Sequence, residues 1–123
     1  MRLLLDTHVL IWWDEGARLL SKARRAILDA DQVYVSAVSG WEVAIKAGLG
    51  RLETRRTVSQ AAVESGFEEL PIRLGHTEVL GGLPRHHRDP FDRMLVAQAL
   101  AERLTLVTRD RVFGRYEVNV LRA

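Results

Sequence analysis

The sequence predicts an α/β fold built around a parallel sheet, and two observations carry that expectation. Short runs of β-formers (Leu3-Leu4-Leu5, Val33-Tyr34-Val35, Thr105-Leu106-Val107) alternate with longer stretches whose apolar residues recur at helical spacing, the pattern of βαβ units. With 47% apolar residues in 123, the chain suits one domain, residues 1–123, with a modest core.

The elements follow in order. Residues 2–5 make the first strand, and Val9, Leu10, Trp12 and Trp13 carry a helix that Gly16 ends. Ser21 is placed as the N-cap of a second helix running to about Ala30. The second strand is Val33 to Val35, and its helix opens at Ser39 and closes near Gly48. Thr57 caps a helix through about Glu64, Gly66 breaks it, and Phe67 to Ile72 is extended. A short helix is expected from His76 to Leu80, stopped by Gly81-Gly82 and Pro84. The clearest helix has Asp89 as N-cap, Pro90 at its first position, and strong helix formers from Met94 to Leu104. Strands at Thr105 to Val107 and Tyr116 to Leu121 complete the pattern.

Composition removes several kinds of chemistry. The chain has no cysteine, which excludes disulfides, thiolate catalysis and cysteine-ligated zinc. Met1-Arg2-Leu3-Leu4-Leu5 meets Asp6 too soon for a signal peptide, and no membrane-length apolar run follows, so a soluble cytoplasmic protein is expected. Net charge is only +2, too small to argue for nucleic acid by itself. Sixteen of the eighteen basic residues are arginine, which suits bidentate phosphate recognition and equally a GC-rich coding sequence.

Four acids stand where strands give way to helices: Asp6, Glu42, Asp92 and Asp110. Each has an ordinary explanation. Asp6 can cap a helix, Ser39-Gly40-Trp41-Glu42 matches a capping box, Asp89 and Asp92 suit the first turn after Pro90, and Asp110 can shape a turn. Their joint placement needs more, because ligands of an open parallel sheet bind outside the carboxyl ends of its strands. Carboxylates gathered there repel one another, and a divalent cation removes that cost. An oxygen-only ligand set favours magnesium or manganese over zinc, and such an ion activates water and stabilises a phosphoryl transition state.

Other residues have milder readings. His8 lies near Asp6 but is better explained by its helix or by solvent, and His86 and His87 in Arg85-His86-His87-Arg88 read as a solvated loop that could also steer a polyanion, as could Arg51, Arg55 and Arg56. Trp12, Trp13 and Trp41 read as core or interface anchors, with base stacking the lesser alternative. Lys46, four residues after Glu42, reads as its helical ion-pair partner or as a phosphate contact.

Leu5-Asp6-Thr7-His8, Ser36-Ala37-Val38-Ser39-Gly40-Trp41-Glu42-Val43, Asp89-Pro90-Phe91-Asp92-Arg93-Met94-Leu95-Val96-Ala97-Gln98-Ala99 and Leu106-Val107-Thr108-Arg109-Asp110 resemble the ordered motifs of PIN-domain ribonucleases, and within them the VapC-type toxins of bacterial toxin–antitoxin pairs. The resemblance spans essentially the whole chain and implies a three-layer α/β/α fold with a parallel sheet of flavodoxin-like order. It implies Asp6, Glu42, Asp92 and Asp110 as the catalytic quartet around Mg2+ or Mn2+, with Asp6 and Asp110 the main direct ligands. Thr7, Ser36 and Thr108 match supporting hydroxyl positions, and Asp89 becomes a cap or a support. Where some members carry a fifth acid, this chain has Arg111 and Val112, which counts against a second fully coordinated metal without substrate. The implied reaction is hydrolysis of an RNA phosphodiester, in tRNA or rRNA, leaving a 5′-phosphate and a 3′-hydroxyl, with Arg85, Arg88 and Lys46 as candidate RNA contacts. The implied partners are a cognate VapB-type antitoxin and a second copy of the chain, met by the helices around residues 9–13 and 43–63.

Rival readings fit less well. A phosphoacceptor receiver domain needs a late lysine, and none follows Lys46. A haloacid-dehalogenase-type phosphatase needs a second aspartate where His8 stands, and no glycine-rich phosphate loop precedes a Lys-Ser or Lys-Thr pair. The strongest alternative is a non-catalytic PIN-like scaffold that binds RNA or protein.

Overall fold

The structure, a computed structural model, describes residues 1–16 and 18–123. The leucine run that opens the chain shows how the layers arise. In strand β1 (Arg2–Leu5) successive side chains point to opposite faces, so Leu3 and Leu5 enter one core while Leu4 enters the other. All three are fully buried, as expected of a central strand covered on both faces. The remaining strands are β2 (Gln32–Ser36), β3 (Glu68–Leu70), β4 (Thr105–Thr108) and β5 (Val120–Arg122), and every pairing among them is parallel.

Helices α1 (Thr7–Glu15), α2 (Ser21–Asp29) and α4 (Val58–Glu64) bury Val9, Leu10, Ala23, Ile27, Ala61 and Ala62 against the first face. On the second face α6 (Pro90–Glu102) supplies Leu95, Val96 and Ala99, joined by Val38 of α3 (Ala37–Gly48) and by Phe113 and Tyr116, and α5 (Leu74–Gly81) packs on α6. Among the described residues no helix is long and apolar enough to cross a membrane.

The three-layer arrangement and the parallel sheet are as the sequence implied. The strand order is not: it runs β3-β2-β1-β4-β5, whereas a flavodoxin-like sheet runs 2-1-3-4-5. Burial supplies the reason. Two of the three residues of β3, Glu68 and Glu69, are exposed, which suits an edge, while three of the four in β4 are buried and suit the place beside β1. The chain therefore extends outward through β2 and β3, then reverses across β1 to β4, leaving the switch point between β1 and β4.

Several boundaries also move. The cap of α3 is Ser36, whose Oγ accepts from Val38 N at 3.0 Å, not Ser39, because Ser39 lies inside the helix and bonds Thr7 Oγ1 at 2.8 Å. Ser21 is the first residue of α2 and not its cap, since Leu20 is held extended with its N–H on Ala123 O at 3.1 Å. The short helix α5 starts before His76, whose Nδ1 accepts from Arg73 N at 3.0 Å. Tyr116 turns into the core after a 3-10 turn at Arg111–Arg115, so β5 starts only at Val120. The expected caps Thr57 and Asp89 are both present, each accepting backbone N–H bonds at its helix start.

Helix α6 ends in a left-handed residue, Arg103, at φ 56°. Glycine adopts that conformation without the Cβ penalty that an arginine meets. Arg103→Gly should raise stability by about 0.5–1 kcal/mol. Urea unfolding with an unchanged m value checks this, and a loss of stability would show that the Arg103 side chain contributes more than its backbone costs.

Candidate metal and nucleic-acid site

Parallel pairing aligns Leu5 with both Val35 and Val107, so the residues that follow, Asp6, Ser36 and Thr108, leave the sheet side by side at its carboxyl edge. Each then does a different job. Asp6 is buried, and its Oδ2 accepts from Thr108 Oγ1 at 2.8 Å. Thr108 in turn accepts from Asp110 N at 3.1 Å, so one hydroxyl ties the ends of β1 and β4 together. Asp110 caps the 3-10 turn through a bond from Val112 N at 3.0 Å. Ser36 is occupied otherwise, donating to Gln98 Oε1 at 2.5 Å while it caps α3, and Thr7 is held by Ser39. Of the three supporting hydroxyls, Thr108 is the one bonded to an acid of the quartet.

Glu42 faces inward one turn into α3 and is 3% exposed. Of the two local partners the sequence offered Glu42, the capping box with Ser39 is not formed and the helical ion pair is: Glu42 Oε2 pairs with Lys46 Nζ at 2.5 Å, and Glu42 Oε1 is buried with no hydrogen-bond partner. Lys46 has its pKa raised first by that bond, and the charges of Asp89 and Asp92 add to the effect, which places the ammonium among the acids. Asp89 is the cap of α6, its Oδ1 accepting from Phe91 N at 2.8 Å and Asp92 N at 3.2 Å. Asp92, in the first turn of α6, is the quartet member that this helix start presents.

Electrostatics shows how closely the acids are packed. Burial pushes the carboxyl of Asp92 up to about 7, and the charges of Asp6, Asp89 and Glu42 push the same way against a hydrogen bond from His87. Burial likewise raises Asp6, with Glu42 adding to it and the Thr108 bond opposing it. Carboxylates taken out of water need a counter-charge or must hold protons. Within one ligand sphere, His87, Asp92 and Asp110 offer donor atoms that all lie within 4.8 Å of one another, the spacing of groups able to share one cation. Asp6 and Glu42 adjoin this set through their charges on Asp92 and are not part of it.

His87, which the sequence places in a solvated loop that could also steer a polyanion, stands among the acids. Its Nε2 lies 2.7 Å from Asp92 Oδ2, its ring meets Phe113 edge-on at 6.3 Å, and its neighbours Arg85, Arg88 and Arg93 line a cleft of about 650 Å³ beside the acids. The spacing to Asp92, five residues across a helix start, was the only available signal. Arg55 and Arg56 are spent elsewhere, both pairing with Asp14. His8 is exposed and stacks at a tilt on Trp12, 5.9 Å between centroids. Trp12 and Trp13 pack on the core as expected, whereas Trp41 is 55% exposed and meets Phe91 edge-on.

Crowded carboxylates at the switch point of a parallel α/β sheet, an orphaned buried oxygen and arginines alongside have the chemistry to hold a divalent cation and to attract an anion. Residues 3–119 match the PIN domain family, and the chain belongs to it. It is 35% identical over 114 residues to Ribonuclease VapC22 of Mycobacterium tuberculosis, a match covering 88% of this chain and 86% of that protein. In fold it is similar to VapBC2 from Rickettsia felis, solved bound to a DNA fragment from its promoter, with TM-score 0.73, 16% identity, and 100% and 99% of the two chains covered. DNA-bound VapBC from Salmonella typhimurium is similar too, with TM-score 0.69, 20% identity and coverage of 99% and 98%.

The raised carboxyls fix a sign for pH dependence. Between the ordinary aspartate value of 3.8 and about 7, the folded protein holds a proton on Asp92 that the unfolded chain has released. Its contribution to stability is present below that window and is lost as pH rises through about 7. The metal-free protein should therefore melt at a lower temperature at pH 8 than at pH 5.5, and Asp92→Asn should shrink the difference. Melting curves in chelator check this; a wild-type protein more stable at pH 8 would contradict it.

Proposed function

We propose that this chain is a metal-dependent endoribonuclease, the toxin of a VapBC-type toxin–antitoxin pair, acting in the cytoplasm through one PIN domain spanning residues 1–123. The observation that carries the reading is Glu42 Oε1, a buried, unpartnered carboxylate oxygen beside further acids whose charges are left uncompensated by Lys46 alone. A divalent cation answers both deficits, and carboxylate donors suit Mg2+ or Mn2+. The likeness to Ribonuclease VapC22 supports the choice of RNA as substrate.

Asp92 and Asp110, whose donor atoms already share one sphere, would hold the cation, and Asp6 and Glu42 would complete the acidic quartet around it. When bound, it supplies a water of lowered pKa and charge to offset that of the phosphoryl transition state. The rest falls to the chain. Thr108 keeps Asp6 and the Asp110 backbone in fixed relation, so neither has to reorganise as charge develops. Lys46 keeps one oxygen of Glu42 neutralised and is 30% exposed, within reach of a phosphate oxygen. Arg85 and Arg88, with Arg93 whose Nη1 is steadied by Pro84 O at 2.9 Å, present a basic cleft to the flanking RNA backbone. Hydrolysis in this frame leaves a 5′-phosphate and a 3′-hydroxyl, and a folded RNA such as tRNA or rRNA suits an open cleft that reads backbone and shape.

The antitoxin and a second copy of the chain would use the helices that the sequence pointed to. Along α3 and α4, Trp41, Ile45, Leu49 and Val63 are exposed, and a largely apolar cleft of about 540 Å³ runs between Gly40, Val43, Ala47 and Val58.

Purified protein freed of its partner should cut cellular RNA into discrete products only when Mg2+ or Mn2+ is added. Asp6→Asn and Asp92→Asn should each lower cleavage at least about 100-fold while leaving RNA binding intact. RNA binding without any metal-dependent cleavage would instead establish a scaffold. Arg88→Ala should weaken RNA binding across sequences and lower the slope of log affinity against log salt by about 1. Anisotropy titrations at several salt concentrations measure that slope, and an unchanged one would remove Arg88 from the interface.

A further inference from the structure

His87 shares the space of Asp92 and Asp110, and an imidazole there has two possible uses: it can bind the cation through Nε2, or it can donate Nε2–H to a carboxylate that does. The other ring nitrogen decides between them. His87 Nδ1 accepts the backbone N–H of Arg88 at 3.0 Å, and a backbone amide can only donate. In the neutral ring, an accepting Nδ1 leaves the hydrogen on Nε2. Nε2 faces Asp92 Oδ2 at 2.7 Å, the length of a charge-assisted bond. Metal-bound histidines show the opposite pattern, with the remote nitrogen donating to a carbonyl or carboxylate. A ligand role would require the Arg88 N–H to give up its acceptor.

We propose that His87 is a positioning residue that donates Nε2–H to Asp92 Oδ2 and so turns the remaining oxygen, Oδ1, toward the cation, without binding the cation itself. The fold supports a fixed ring. Its plane is set edge-on against Phe113, a fully buried side chain, and its loop runs directly into the Asp89-capped start of α6 that carries Asp92. The donor and its acceptor are thus anchored to neighbouring points of one rigid helix terminus. Asp92 has no other side-chain hydrogen-bond donor among the described residues.

The role rests on the proposed metal-dependent reading, and the test separates the two. Mn2+ is titrated into the full chain in a calorimeter, and pulsed electron paramagnetic resonance of the bound ion reports any directly coordinated nitrogen. His87→Ala should weaken Mn2+ binding by about 10–100-fold, the usual cost of losing a group that orients a ligand. His87→Gln, whose amide N–H can reach the same oxygen, should restore affinity to within about 3-fold of wild type, a rescue that a general packing role would not show. The wild-type ion should show no imidazole nitrogen. A nitrogen coupling that disappears in His87→Ala would make His87 a ligand and overturn the proposal. So would unchanged affinity in His87→Ala, or a Gln variant as weak as Ala with both folded by their melting curves. Absence of Mn2+ binding by wild type would sink the parent reading, and this one with it.

Discussion

The hydroxyl of Thr108 is the contact on which the site depends. It donates to Asp6 and accepts from the backbone of Asp110, so the Asp6 carboxylate and the Asp110 backbone, at the ends of adjacent strands, are held in fixed relation before any ligand arrives. Such preorganisation is useful because groups that are already placed need not reorganise when charge develops. It also has a cost. Asp6 is buried, Glu42 and Asp92 are close, and burial raises the carboxyls of Asp6 and Asp92. Lys46 pairs with Glu42, and His87 hydrogen-bonds Asp92. The protein therefore gathers acids where they are costly to ionise, and the rest of its core must hold them in place, as expected where function and stability compete.

Strand order explains why these groups meet. With β3 outside β2 and β4 beside β1, the chain reverses direction across β1, and the loops on either side of the switch diverge to leave a crevice at the carboxyl edge. Helix α3, which follows β2, and the start of α6, which precedes β4, both border it. Each brings one acid, a positive helix end and a neighbouring basic or imidazole group. The Arg85-His86-His87-Arg88 loop then extends the crevice into a basic cleft, so a polyanion and a cation would be drawn to adjoining places.

Much of this was legible in the residues, because it depends on local chemistry. A run of three leucines followed by aspartate reads as a strand giving way to a helix at an acid; Asp89-Pro90 reads as a cap and first turn; Thr57 reads as a cap; and the structure has each. Where a local reading failed, a competing partner had taken the residue. Ser39 was a plausible cap until Thr7, distant in the chain, claimed its hydroxyl, and of the two local partners open to Glu42 the helical ion pair with Lys46 prevailed over the capping box. Tyr116 has strand propensity but is drawn into the core with Phe113, which delays the last strand.

By itself the sequence determined the elements, the acids that end them and the parallel class of the sheet, since caps, periodicity and turn chemistry act over a few residues and need no distant partner. Only the tertiary structure decided the strand order, the recruitment of His87 and the orphaned oxygen of Glu42. Those depend on which strand can tolerate an exposed edge and on which side chains, far apart in the chain, compete for the same few buried hydrogen bonds. Packing across the sheet sets both outcomes, and no window of neighbouring residues encodes them.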